Sequence, residues 1–283
     1  MFAGAPHPLD LVLEEDRPRH AERFGRGWHY RPDVNGVNIA AMAIIDASTP
    51  APAVVDRDAW LEARAALLDR EKSHTREGDA IAAARRRLPM TEVPNVELVG
   101  EHGPTTLLDV FDGRPQLIVY KHMWHGGQPI EGQCEGCTAS IWDFHDASYL
   151  HARGVSFAVL SRGPWAELAP YRAFMGYTHP WFSVEHIDDP LLGADTEGAY
   201  VALLRRGDRV FATNWITGRG VELAMTSLSL LDMTAYGRQE EWEDSPAGWP
   251  QDPTFTGWSR DGRPVPQWSR PGATRVDASA HHH

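Results

Sequence analysis

The chain is poor in cysteine, with only Cys134 and Cys137 in 283 residues. That excludes a disulfide-stapled scaffold, which needs several cross-links to stand in for a core. No apolar run approaches the roughly 18–20 residues that span a bilayer. Positive charge is also short, 27 basic against 39 acidic residues for a net charge of −12. This argues against general binding to nucleic acid or to an anionic membrane surface. The first residues reach Glu14, Glu15 and Asp16 without the basic and apolar regions of a secretory signal, so a cytoplasmic location is expected. Absent too are a P-loop, a dinucleotide-binding glycine fingerprint, a Gly-x-Ser-x-Gly elbow and a paired-carboxylate motif. What remains is a chain whose 42% hydrophobic content suits a real core. Its terminal His281-His282-His283 is set apart from any site.

Residues 1–55 hold six prolines and no sustained period, and read as an irregular N-terminal arm with a short apolar patch from Ile39 to Ile45. Trp60, Ala63, Leu67 and Leu68 recur at helical steps after Asp56 or Asp58, so residues 56–90 are expected to form a helical segment packing on the core, stopped by Pro89. Arg85, Arg86 and Arg87 fit a solvated helix end. Short strands follow at 96–99 and 105–108, then an apolar strand from Gln116 to about Met123. A helix is expected over 137–153 with Gly154 as its stop, then a buried strand from Val155 to Leu160. One helix between two buried strands is a β-α-β unit with parallel strands. A helix over 164–174, a strand at 181–184, a hairpin at 199–215 with a Gly-Asp turn, and a helix over 220–231 complete residues 91–237. From 238 to 283 the chain is rich in Pro, Gly and Trp without a period, and is expected to lie as an extended tail over the domain.

The chemistry concentrates between Gln116 and Trp142. His122 and His125 precede Cys134 and Cys137 by a few residues, and the cysteines stand two apart where a helix begins. A thiolate is the reactive or ligating form of cysteine, and the free N–H groups of a helix N-terminus stabilise it. Two intervening residues let a small disulfide ring close, and Gly136 eases the backbone; Glu135, a carboxylate between the thiols, works against their ionisation. Two imidazoles and two thiolates within sixteen residues also suit zinc or copper. On a straight strand His122 and His125 would point to opposite faces.

The β-α-β unit followed by a hairpin and helix, with Cys-x-x-Cys opening the first helix, resembles the thioredoxin superfamily. More closely, residues 71–243 resemble the bacterial thioredoxin-like family labelled domain of unknown function 899. The match is carried by Glu71-Lys72, Thr75-Arg76, Arg85-Arg86-Arg87-Leu88-Pro89, Phe111-Asp112-Gly113-Arg114, Gln116 to Tyr120, Cys134-Glu135-Gly136-Cys137 and Ala152-Arg153-Gly154-Val155-Ser156. It continues through Phe174-Met175-Gly176-Tyr177, Pro180-Trp181, Leu231-Asp232-Met233-Thr234 and Tyr236-Gly237-Arg238. The resemblance implies a thioredoxin-like α/β fold and leaves the reaction open. By the same analogy Cys134 attacks and Cys137 resolves. Two departures stand out: residues 124–133 intervene between strand and motif, and Glu197-Gly198-Ala199 occupies the place of the usual cis-proline.

Three functions are expected to compete. The first is a redox protein using Cys134 and Cys137 on a small molecule or oxidant. The second is a metal-thiolate protein holding copper or zinc through Cys134, Cys137 and His122 or His125, with His179 and His186 as more distant candidates. The third is a non-catalytic binding scaffold. The partner is expected to be a small-molecule substrate or electron donor.

Overall fold

The computed structural model describes residues 45–193 and 198–274. Most of the expected N-terminal arm, the position of Glu197 and the last nine residues lie outside the described residues. Helix α1 (Arg57–Arg85) opens on Asp56, whose carboxylate accepts the Ala59 N–H at 2.9 Å. It runs unbroken for 29 residues and buries none of them; Trp60 is 55% exposed. The expected packing of this segment on the core is therefore corrected. Arg64, Asp69, Arg70, Glu71 and Lys72 interrupt the apolar stripe after Ala63, so no wide face is left to bury. Strong helix formers and the Arg64–Glu71 pair at 2.7 Å hold the turns instead.

The next elements are β1 (Thr91–Val93), β2 (Glu97–Gly100), β3 (Gly103–Thr106) and the short α2 (Leu107–Val110). Then come β4 (Gln116–His122), α3 (Glu135–Asp143), α4 (Ser148–His151), β5 (Val155–Ser161), α5 (Trp165–Met175) and β6 (Trp181–Ser183). The chain continues through β7 (Ala199–Arg206), β8 (Arg209–Thr217) and α6 (Thr226–Leu231), and ends on a small hairpin of β9 (Ser259–Arg260) and β10 (Arg263–Pro264). The main sheet has the order β1-β8-β7-β4-β5-β6-β2-β3. Strand β4 is parallel to β5 and antiparallel to β7, and β7 is antiparallel to β8. This order, with α3 crossing from β4 to β5 and α6 following the hairpin, is the thioredoxin-like α/β fold. The β7–β8 turn is made by two residues, with Gly207 at φ 66° in the left-handed region its first position requires.

Strand alternation divides the core by chemistry. Leu117 and Val119 of β4 join Ala158 and Leu160 of β5 in an aliphatic layer with Leu98, Phe111, Val201 and Leu203. Tyr120 of β4 joins Phe157 and Val159 of β5 on the other face, with Tyr171, Trp181, Tyr200, Ile141 and Cys137. The cysteine pair thus belongs to an aromatic layer. Ile141 docks α3 there, fully buried, and such burial stabilises by about 1.5–3 kcal/mol.

The single helix expected over 137–153 is two helices. Asp143 accepts Ser227 N and Oγ at 2.8 and 2.7 Å, and Asp146 accepts Ser148 N at 2.7 Å. Short carboxylates that capture local N–H groups offer the backbone an alternative to the helix. The Phe144 carbonyl is held by His179 Nε2 at 2.6 Å. Residues 238–274 lie over the domain, but not as a featureless strap: Arg263 and Gln267 are buried within it.

His122, the last residue of β4, is completely buried, with its ring 5.0 Å from Trp181 and 5.6 Å from Tyr171 between centroids. Burial lowers its pKa to about 3. The unfolded chain takes up this proton near pH 6.5 and the folded chain does not. Its contribution is therefore complete above pH 6.5 and lost as pH falls toward 3. Denaturant melts should show stability falling over that range, with this residue contributing up to about 1.4 kcal/mol per pH unit. His122→Phe should remove one proton's share of the slope; an unchanged slope would contradict the assignment.

Candidate active site

The loop between β4 and α3 is built around one buried amide. Gln133 Oε1 accepts the His125 N–H at 3.1 Å, while Gln133 Nε2 donates to the carbonyls of His125 and Gln128 at 3.1 and 3.2 Å. At the loop's start, Trp124 Nε1 donates to Glu167 at 2.7 Å, and its indole lies over Gly163, where an added Cβ would come within 2.5 Å. These anchors carry the chain back across the end of the sheet and deliver Cys134 to the start of α3.

Cys134 is the N-cap of α3. Its Sγ accepts the Cys137 N–H at 3.4 Å, and its carbonyl receives Thr138 N and Oγ1 at 2.9 and 2.7 Å. Cys137 Sγ in turn accepts the Met123 N–H at 3.3 Å. Both cysteines are free thiols and their side chains hydrogen-bond to each other. They differ in access, for Cys134 is part-exposed and Cys137 only 3% exposed. Beneath them the Tyr120 hydroxyl reaches the side chains of Cys137 and Ser140. Thr138 Oγ1 meets Tyr171 OH at 2.7 Å, and Tyr177 OH donates to the Thr138 carbonyl at 3.0 Å.

The proton balance follows from these contacts. The Cys134 thiol stands well above its ordinary range, first because its side chain is hydrogen-bonded to Cys137, then because of burial. The His125 hydrogen bond and the Cys137 N–H pull the other way. His125 is raised in its turn, chiefly by the hydrogen bond with Cys134. Each partner thus favours the charged form of the other. Burial raises Tyr120 and Tyr171, so both remain neutral hydrogen-bonding groups.

Of the four sequence candidates, Cys134, Cys137 and His125 come together and His122 stands apart. The loop begins where β4 ends, which frees His125 to turn to the sulfurs while His122 keeps its strand position in the aromatic layer. His179 stacks on Phe144 with centroids 5.3 Å apart, and His186 is exposed beside Glu185. Among the described residues no group of three or more His, Cys, Asp and Glu side chains is arranged to hold a metal ion. Sequence reading missed Gln133 and Tyr120. Gln133 lies directly before Cys134, and Tyr120 shares the parity of His122 on β4, but neither residue type marks a site by itself. A surface cleft of about 420 Å³ lined by Arg219, Tyr236, Arg238 and Trp249 contains neither cysteine.

Among solved structures, the peroxidoxin BcpB of Mycobacterium tuberculosis is 18% identical with a TM-score of 0.36, over 51% of this chain and 97% of that one. Peroxiredoxin Q of Xanthomonas campestris is 17% identical with a TM-score of 0.36, over 50% and 91%. A yeast mitochondrial 1-Cys peroxiredoxin is 14% identical with a TM-score of 0.30, over 56% and 84%. Likenesses this slight carry no argument about function. No curated protein matches the sequence. Residues 49–261, which include α1, the whole sheet and the cysteine pair, match the model of the bacterial proteins of unknown function, DUF899, and the chain belongs to that family.

Proposed function

We propose that the chain is a dithiol–disulfide oxidoreductase acting on a low-molecular-weight substrate, with Cys134 as the attacking thiol and Cys137 as the resolving one. The observation that carries this reading is two free thiols in mutual contact at a helix N-terminus, one accessible and hydrogen-bonded to a histidine, the other buried behind it. With a small disulfide the steps balance as follows. His125 takes the Cys134 proton, and the thiolate attacks one substrate sulfur. The substrate S–S bond breaks and one thiolate leaves, receiving the proton from His125. Cys137 then loses its proton and attacks Cys134 Sγ. A Cys134–Cys137 disulfide closes and the second substrate thiolate leaves with that proton. Two electrons pass from the pair to the substrate, which ends as two thiols.

The roles are separable by trapping. Cys137→Ser should accumulate a mixed disulfide on Cys134 when treated with oxidised glutathione, whereas Cys134→Ser should not, as read by intact mass. Trapping on Cys137 would reverse the assignment. Loss of both reactions, together with stoichiometric zinc or copper that disappears in Cys134→Ser, would favour the metal-thiolate reading.

The pH dependence has a definite sign. Because the Cys134 thiol is raised, its alkylation by iodoacetamide should keep climbing through pH 9, where an activated thiolate would have reached a plateau below neutrality. His125→Phe removes a contact that favours the thiolate, so the rate at pH 8 should fall by about tenfold. A plateau below pH 7, or an unchanged rate in the variant, would contradict this proton balance.

A further inference from the structure

The C-terminal tail touches the cysteine motif at a residue that has no side chain. The six-membered ring of Trp258 lies against Gly136, so closely that an added Cβ would come within 2.9 Å of Cζ3. The indole is not loosely placed. Trp258 Nε1 donates to Glu240 at 2.9 Å, and the other oxygen of this buried carboxylate receives Trp242 Nε1. Glu240 is fixed in turn, since the backbone beside it pairs with Asp252 and its carbonyl accepts Gln251 Nε2 at 3.1 Å.

The tail also grips the turn just upstream of Cys134. Buried Arg263 pairs with Glu131, and buried Gln267 donates to the Ile130 carbonyl at 2.8 Å. Arg263 is itself tied to the Thr274 carbonyl at 2.7 Å. The motif is thus held on both sides of Cys134, by Arg263 and Gln267 before it and by Trp258 after it. A helix-terminal thiol that exchanges with protein disulfides needs an open approach, because the partner backbone must come alongside it. Here an indole buttressed by Glu240 lies against Gly136, two residues along α3 from Cys134. A flat aromatic wall at this point of the helix narrows the space beside the motif, which a slender molecule tolerates better than a folded one.

We infer that Trp258, positioned by Glu240, is the specificity-determining residue of the cysteine site: it restricts Cys134 to low-molecular-weight disulfides and shuts out protein disulfides. This deepens the oxidoreductase reading and rests on it for the substrate class. The occlusion itself is testable without any redox chemistry.

In full-length protein carrying Cys137→Ser, so that Cys134 is the single thiol, alkylation by N-ethylmaleimide and by a polyethylene-glycol maleimide compares one electrophile at two sizes. The ratio of bulky to small rates should rise about tenfold in Trp258→Ala, where access improves, and stay near the parent value in Trp258→Phe. An unchanged ratio in Trp258→Ala would overturn the inference. If that variant does not fold, Gly136→Ala decides by the same ratio, because its methyl displaces the ring from the other side: a rise supports the wall and no change overturns it. With the cysteine pair restored, Trp258→Ala should reduce insulin disulfides faster relative to oxidised glutathione than the parent does. A protein that passes the maleimide test but never forms a Cys134–Cys137 disulfide would keep the wall and lose the oxidoreductase reading.

Discussion

Helix α3 begins with a sulfur where most helices place a hydroxyl or a carboxylate. The N–H groups of a first turn need acceptors, and Cys134 Sγ takes the Cys137 N–H. A thiol is a weak acceptor and a thiolate a good one. The helix therefore favours negative charge on this pair, while the aromatic layer around it disfavours any charge at all. The effects against charge prevail at Cys134, whose thiol is raised well above its ordinary range by its hydrogen bond to Cys137 and then by burial, while His125 is raised chiefly by its contact with Cys134. The site makes chemical sense only with His125 in place, and His125 is in place because Gln133 folds its loop.

The sheet arranges the rest around that balance. The aliphatic face is ordinary core and the cysteine face is aromatic, with Tyr120, Tyr171, Tyr177, Trp181 and Tyr200 packed together. The hydroxyls of Tyr120, Tyr171 and Tyr177 meet the helix from below, as Tyr171 does at Thr138 Oγ1 and Tyr177 at the Thr138 carbonyl. A buried polar group without such partners costs stability, so the hydroxyls position α3 as well as fill space. On the outer side the tail supplies polar anchors of its own, and Glu240 gathers two indole donors in one buried carboxylate. This tail keeps its place through specific contacts, since its composition offers no continuous apolar face.

Much of this could be read from residue order. The apolar run from Gln116, the Gly154 stop, the Val155 strand and the Gly207-Asp208 turn each fixed one element locally, and together they gave the parallel pair and the hairpin. The Cys134–Cys137 spacing pointed to the candidate site, and the two side chains do lie close together. What could not be read depended on distant partners. The break after Asp143 needs Ser227 and His179, which lie far along the chain. The exposure of α1 follows from charges that interrupt an otherwise helical pattern. His122 and His125 look equivalent by type, and only the end point of β4 separates them. Trp258 is one of 11 tryptophans, and nothing in its neighbourhood of sequence distinguishes it; its meeting with Gly136 is a tertiary fact.

The central claim is that Cys134 and Cys137 form one two-electron couple. Equilibrating the protein across a graded mixture of oxidised and reduced dithiothreitol, and reading the disulfide fraction by acid-quenched alkylation and mass, tests it directly. The account predicts a single transition with a slope of about 30 mV per decade, lost entirely in either single serine variant. Two thiols that persist across the whole series, or oxidise independently of each other, would contradict it.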